Sequence, residues 1–416
     1  MITTRTLSNG VRMVMEEMPA VHSVAIGIWV KTGAVDEEKK YAGISHFVEH
    51  MMFKGTENRT ARQIAGDVDR IGGAMNAFTG KEATCYYVKT VSDHYREAAD
   101  VLVDMMEHSL FAKEEMDRER KVIGEEIKMG EDSPEDVAHD KLIEALFRRE
   151  PLGNSVIGTR TSLNRITHNV MAEYVRTHYV RDNMVISVAG NFDPEEVCDY
   201  FQGTMLSLGK TGPARERSVG SPAPEYHSVK RDIKQSHICL GTRGVNLADP
   251  RSYAMSVLSQ LLGGSMSSRL FQNIRERKGL AYSVYSTTGS FRDAGYFEIY
   301  AGVANDQVKA AVEGIREELD ILASKPVEEE EVRSAVEQMK SSYAFSQEST
   351  SARMIVNGKN YLLLDRVFNE EEVLEGYNNV TAASLEEVKK LICDFSRYSV
   401  SVASGVKVNR KSVMEE

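Results

Sequence analysis

Apolar residues alternate with polar ones at Val11, Met13 and Met15, a period of two that predicts a strand. A second strand is predicted at Ser23-Val24-Ala25-Ile26-Gly27-Ile28-Trp29-Val30. The period then becomes helical over 42–52 and 60–70, and the second helix stops at Gly72-Gly73, where glycine suits a C-cap. Strands are predicted at 75–79 and 84–90, and helices over 94–109 and 114–129. A strand at Met184–Gly190 and a helix from Pro194 close this run of elements.

After residue 227 the order recurs. Ser236-His237-Ile238-Cys239-Leu240-Gly241 echoes Ser23–Ile28, and a helix over 252–262 takes the place of the one at 42–52. A helix over 269–278 ends at Gly279, strands follow at 281–287 and 295–303, then a helix over 306–323 and a strand at 398–403. Between the two runs, 209–227 is rich in Gly, Pro, Ser and charge, the composition of a linker. The pattern predicts an α+β protein of two similar domains, each a mostly antiparallel sheet with helices packed on it. The boundaries are 1–208, a linker at 209–227, and 228–416.

The repeat is unequal. The first half holds His46, Glu49 and His50 on its helix, and the second has Val257-Leu258-Ser259-Gln260-Leu261-Leu262 there. The first domain is therefore expected to carry a metal and the second to be metal-free.

Composition narrows the function. With 62 acidic against 51 basic residues the net charge is −11, which argues against a nucleic-acid binder relying on basic patches. Four separated cysteines form no CxxC pair, so free thiols in a reducing compartment are expected. No run reaches the ~20 apolar residues of a membrane span, and the first residues look unlike a targeting segment. A cytoplasmic protein without membrane contact is the expectation.

His46 and His50, at i and i+4, lie about 40° apart around one helix face. Two imidazoles so placed can bind one ion. Glu49, beside them, can reach a water on that ion and act as its base, the division of labour of the H-x-x-E-H pattern. A catalytic zinc site takes three protein ligands and leaves one position open. Glu119 and Glu126 share one face of a later helix; one can ligate while the other holds a histidine. A solvated acidic face is the alternative for that segment.

The run Gly43-Ile44-Ser45-His46-Phe47-Val48-Glu49-His50-Met51-Met52-Phe53-Lys54-Gly55-Thr56 resembles the pitrilysin and insulin-degrading enzyme family of inverted zincin metallopeptidases. It is most similar to the short-chain branch that includes the mitochondrial processing peptidase β-subunit. Gly72-Gly73-Ala74-Met75-Asn76-Ala77-Phe78-Thr79, Pro151-Leu152-Gly153 and Asn183-Met184 extend the resemblance over nearly the whole chain. It implies Glu126 as third ligand of one zinc per chain and Glu119 as the further acidic residue near the site. It implies Asn76, Ala77 and Phe78 as the sheet edge on which a peptide adds as a strand. Arg275 and Tyr282 match the family's pair that donates to the substrate carbonyl and its developing oxyanion.

The expected activity is thus a zinc metalloendopeptidase acting on peptides or unfolded segments inside a closed homodimeric chamber. The competing expectation is a non-catalytic structural or partner-binding subunit of the same fold.

Overall fold

In the computed structural model, which describes residues 2–213, 220 and 222–414, the aliphatic run of the second expected strand forms β3 (Ser23–Val30) with all but its first residue buried. It sits inside a six-stranded sheet. The other members are β1 (Ile2–Thr6), β2 (Arg12–Glu17), β4 (Ala74–Thr79), β5 (Thr84–Val91) and β6 (Met184–Gly190), in the order β1-β2-β6-β3-β5-β4. Only β2 and β6 pair in parallel. A strand buried on both faces reads as a continuous apolar run, which β3 and β6 show.

The second sheet contains β7 (Tyr226–Lys230), β8 (Gln235–Arg243), β9 (Ala281–Ser290), β10 (Gly295–Ala304) and β11 (Ser399–Ser404). Its order is β7-β11-β8-β10-β9, with β7 and β11 the parallel pair. This repeats β2-β6-β3-β5-β4 strand for strand. The chain is therefore an internally repeated α+β protein.

Helices cover each sheet. In the first half these include α1 (Ile44–Met52), α2 (Ala61–Arg70), α3 (Tyr95–His108) and α4 (Lys113–Asp132), followed by α5 (Pro134–Leu146). Thr60 caps α2 in a reciprocal box with Gln63. The expected helix over 269–278 forms Phe271–Arg277 with π-type rather than α-type turns. Tyr226 opens β7, so the end of the expected linker is strand; its residues 214–219 and 221 lie outside the described residues.

Packing groups the chain into two compact units that interleave along the sequence. One comprises Met1–Ile127, Asn154–Glu216 and Ala344–Asn369; the other comprises Lys128–Gly153, Arg217–Tyr343 and Glu370–Glu416. The sequence-order division at 209–227 does not contain this exchange. In the first unit, the helix Thr350–Leu364 crosses the sheet at Gly27, where a Cβ would stand 2.3 Å from the Met354 sulfur. In the second, α5 crosses at Gly241, where a Cβ would stand 2.8 Å from Leu142 Cδ2. A side chain at either position would push the Met354 or Leu142 side chain aside, because a helix lies directly on the strand.

Candidate metal centre

Helix α1 buries Ile44, Ser45, Phe47, Val48, Met51 and Met52. That leaves His46, Glu49 and His50 on the half-exposed face. No side chain of its own caps this helix. The buried Glu37 carboxylate instead accepts from the backbone N–H groups of Gly43 at 2.7 Å and Ser45 at 2.8 Å. Burial pushes the Glu37 carboxyl up to about 7, against the opposing pull of those two donors.

The imidazoles of His46 and His50 lie edge to face with centroids 4.6 Å apart. Glu126, from α4, brings Oε2 to 3.8 Å from His46 Nε2 and 3.5 Å from His50 Nε2. One ligand atom from each of the three lies within 4.8 Å of the others. Burial first, and then His50, lower the His46 pKa to about 4, so His46 is neutral at ordinary pH. A neutral imidazole can turn the lone pair of Nε2 to the point where His50 Nε2 and Glu126 Oε2 also converge, which is what a cation there would bind. The His, His, Glu donor set fits zinc with one position open.

Glu119 is where a supporting residue is needed. Its Oε2 lies 3.1 Å from His50 Nδ1, fixing the ring with Nε2 toward Glu126. Lys54 Nζ donates to Glu119 Oε1 at 2.7 Å and balances the charge of that buried carboxylate. Glu49 stays outside the ligand triad. The Thr79 hydroxyl donates to Glu49 Oε2. Desolvation raises the Glu49 pKa, with Thr79 and His50 pulling the other way.

Asn76, Ala77 and Phe78 lie on β4, the end strand of its sheet. Ala77 is half-buried, and Asn76 and Phe78 point to the exposed face. Thr79, the last residue of β4, is the one that touches Glu49, so the strand edge ends at the metal-binding helix.

Arg275 and Tyr282 belong to the second unit. The Arg275 guanidinium lies 4.6 Å from the Phe271 ring centroid and 5.7 Å from that of Tyr282, which is 78% exposed. The two are neighbours there.

Sequence reasoning missed Lys54, Thr79 and Glu37. Lys54 lies just beyond the end of α1, where helical spacing does not place it. Thr79 and Glu37 gave no sequence signal, because each reaches α1 through the tertiary fold. No helix among the described residues is long and apolar enough to cross a membrane. All four cysteines are free and buried.

The family description "Insulinase (Peptidase family M16)" matches residues 12–160, and "Peptidase M16 inactive domain" matches 165–339. The chain is 43% identical to the "uncharacterized zinc protease YmxG" of Bacillus subtilis, covering 94% of this chain and 95% of that protein. It is 36% identical to an "uncharacterized zinc protease" of Streptomyces coelicolor, over 99% and 91% of the two chains. The crystal structure of a protease from Helicobacter pylori superposes with a TM-score of 0.92 at 20% identity, covering 97% of this chain and 99% of that one.

Proposed function

The chain belongs to peptidase family M16, the insulinase family, and on that premise we propose that it is a zinc metalloendopeptidase of peptides and unfolded protein segments. One observation carries this reading: His46, His50 and Glu126 converge on one point while Glu49 stands beside it, outside the ligand set. The naming of relatives as zinc proteases agrees with it.

Zinc bound at one site per chain would supply Lewis acidity at the scissile carbonyl and acidify a water. Glu49 takes the proton of the attacking water and delivers it to the leaving amine. Its raised pKa suits a group that must hold that proton briefly. Thr79 fixes the carboxylate through Oε2, leaving Oε1 for the proton. Glu119 and Lys54 hold His50 in its ligating orientation. The unpaired edge of β4 takes the substrate backbone as an added strand at Asn76, Ala77 and Phe78. That edge selects extended chains over folded ones.

Arg275 and Tyr282 would bind the substrate carbonyl and its developing negative charge. Within this reading they complete the zinc site of a second copy, so the working form is a homodimer with two sites in a closed chamber, in the cytoplasm. The rival reading, a structural or partner-binding subunit, leaves unexplained why four site residues are present together with Lys54 and Thr79.

Digestion of a peptide library by the purified chain, read by mass spectrometry with and without chelator, tests the activity. Chelator-sensitive cleavage at internal bonds is expected; zinc without any cleavage would favour the rival. The shared site has its own test. Glu49→Gln and Arg275→Ala homodimers should each be impaired, and verified mixed dimers should regain one good site. No recovery in mixed dimers removes the shared-site part alone.

A further inference from the structure

A second group of ligand-type side chains lies in the second unit, in the sheet face covered by α5. His139 on α5, Cys239 on β8 and Glu298 on β10 each bring one ligand atom within 4.8 Å of the other two. Cys239 and Glu298 are buried and His139 is partly so. The register of the sheet brings two of the three together. Cys239 pairs with Tyr300 and Gly241 with Glu298, so the Cys239 and Glu298 side chains share one face two residues apart.

Three details point to a cation rather than a packing coincidence. First, His139 Nδ1 lies 2.6 Å from Glu298 Oε1, yet that buried oxygen has no hydrogen-bond partner. The two atoms are close without being aligned on each other. Second, His139 Nε2 lies 3.2 Å from the Tyr285 hydroxyl, which reaches Glu135 at 3.4 Å. In the neutral ring with Nε2 donating to Tyr285, the lone pair lies on Nδ1 facing Glu298. Metal-ligating histidines are held in this manner through their other ring nitrogen. Without a cation, a protonated ring pairs with Glu298 there instead. Third, the Tyr300 ring stacks on His139 at 5.5 Å and 10°, while its hydroxyl is anchored 2.8 Å from His237 Nδ1. The imidazole is thereby fixed from its face as well as from its edge.

We infer that His139, Cys239 and Glu298 form a second metal site, for a thiophilic divalent ion such as zinc. One thiolate, one imidazole and one carboxylate make a mixed donor set suited to zinc or cobalt and unsuited to magnesium or calcium. Binding displaces the Cys239 thiol proton to solvent. The second unit then carries a metal, contrary to what its apolar counterpart of α1 implied.

Sulfur makes the proposal testable independently of activity. The site of His46, His50 and Glu126 contains no thiolate, so it cannot give the near-ultraviolet thiolate-to-cobalt charge-transfer band. The metal-free full chain is titrated with Co(II), and metal content and absorption are followed together. Two cobalt ions per chain and a charge-transfer band are expected. The band should persist in a His46→Ala/His50→Ala variant and vanish in both Cys239→Ser and Cys239→Ala. One cobalt per chain without the band, or a band that survives loss of Cys239, overturns the inference. Should the Cys239 variants not fold, the unmodified chain alone decides by the presence or absence of the band.

Discussion

The two units share a strand order and differ in what their helices offer. On α1, the half-exposed positions at i, i+3 and i+4 are His46, Glu49 and His50. On the helix Ser252–Gly263, the same spacing holds Ser256, Ser259 and Gln260, and Ser259 is spent on a hydrogen bond to Ser286. The apolar positions between them are buried in both helices. Burial therefore builds the scaffold twice, while the chemistry of α1 sits on positions that the scaffold leaves free.

A second contrast lies where each exchanged helix meets its sheet. In the first unit, buried Glu16 accepts from Arg353 Nε and Asn357 Nδ2, each at 2.7 Å. In the second, buried Glu298 faces His139 and Cys239. The first contact is a permanent ion pair, since arginine stays charged; the second has only titratable or ligating partners.

The largest expected effect breaks the first contrast. Glu49→Gln should reduce turnover on the order of 10²–10⁴-fold, the usual contribution of a positioned acid–base group, with metal retained. His50→Ala should lose metal and turnover together, and removing metal from the unmodified chain should have the same consequence. Zinc content and peptide turnover on the same preparations check all three.

Next comes the ion pair under the helix Thr350–Leu364. Arg353→Met strands the Glu16 charge and should destabilise the protein by about 3–5 kcal/mol, measured by denaturant unfolding. A change near zero would mean that Glu16 reaches water.

Glu119→Gln should weaken zinc affinity roughly 10–100-fold, the range for partners that orient a ligating histidine. Competition with a chelator of known affinity reads this. An unchanged affinity would show that packing alone orients His50.

The smallest effect concerns the cap of α1. Glu37 titrates near 7 in the folded chain, above the ordinary carboxyl value of 4.5. The folded state then binds the proton more tightly, so this group's contribution to stability falls as pH rises from about 4.5 through 7. Relative to the unmodified chain, Glu37→Gln should gain in Tm on going from pH 5 to pH 8. A relative loss would contradict the raised pKa.

Elements with one dominant local cause were legible in the sequence. β6 lies at Met184–Gly190 as expected, because a continuous apolar run between turn residues has one good conformation. The H-x-x-E-H helix was legible because its spacing is itself the chemistry. The exchange of α5 and the helix Thr350–Leu364 between units was not, because helical periodicity shows an apolar face without naming the sheet that covers it. β7 was hidden in a stretch whose Gly and Pro read as linker. Helical spacing put Glu119 and Glu126 on one face without ranking them, and the family resemblance assigned Glu126 as the ligand; the contacts of Glu119 with His50 Nδ1 and of Glu126 with both Nε2 atoms come from the fold. His139, Cys239 and Glu298 come from segments too distant to form a motif.

The measurement closest to the central claim is zinc content and turnover of Glu49→Gln, taken on one folded preparation beside the unmodified chain. Zinc at the unmodified level with turnover collapsed is the expected result. Near-normal turnover with zinc bound would contradict the assignment of Glu49 as the base, and with it the mechanism.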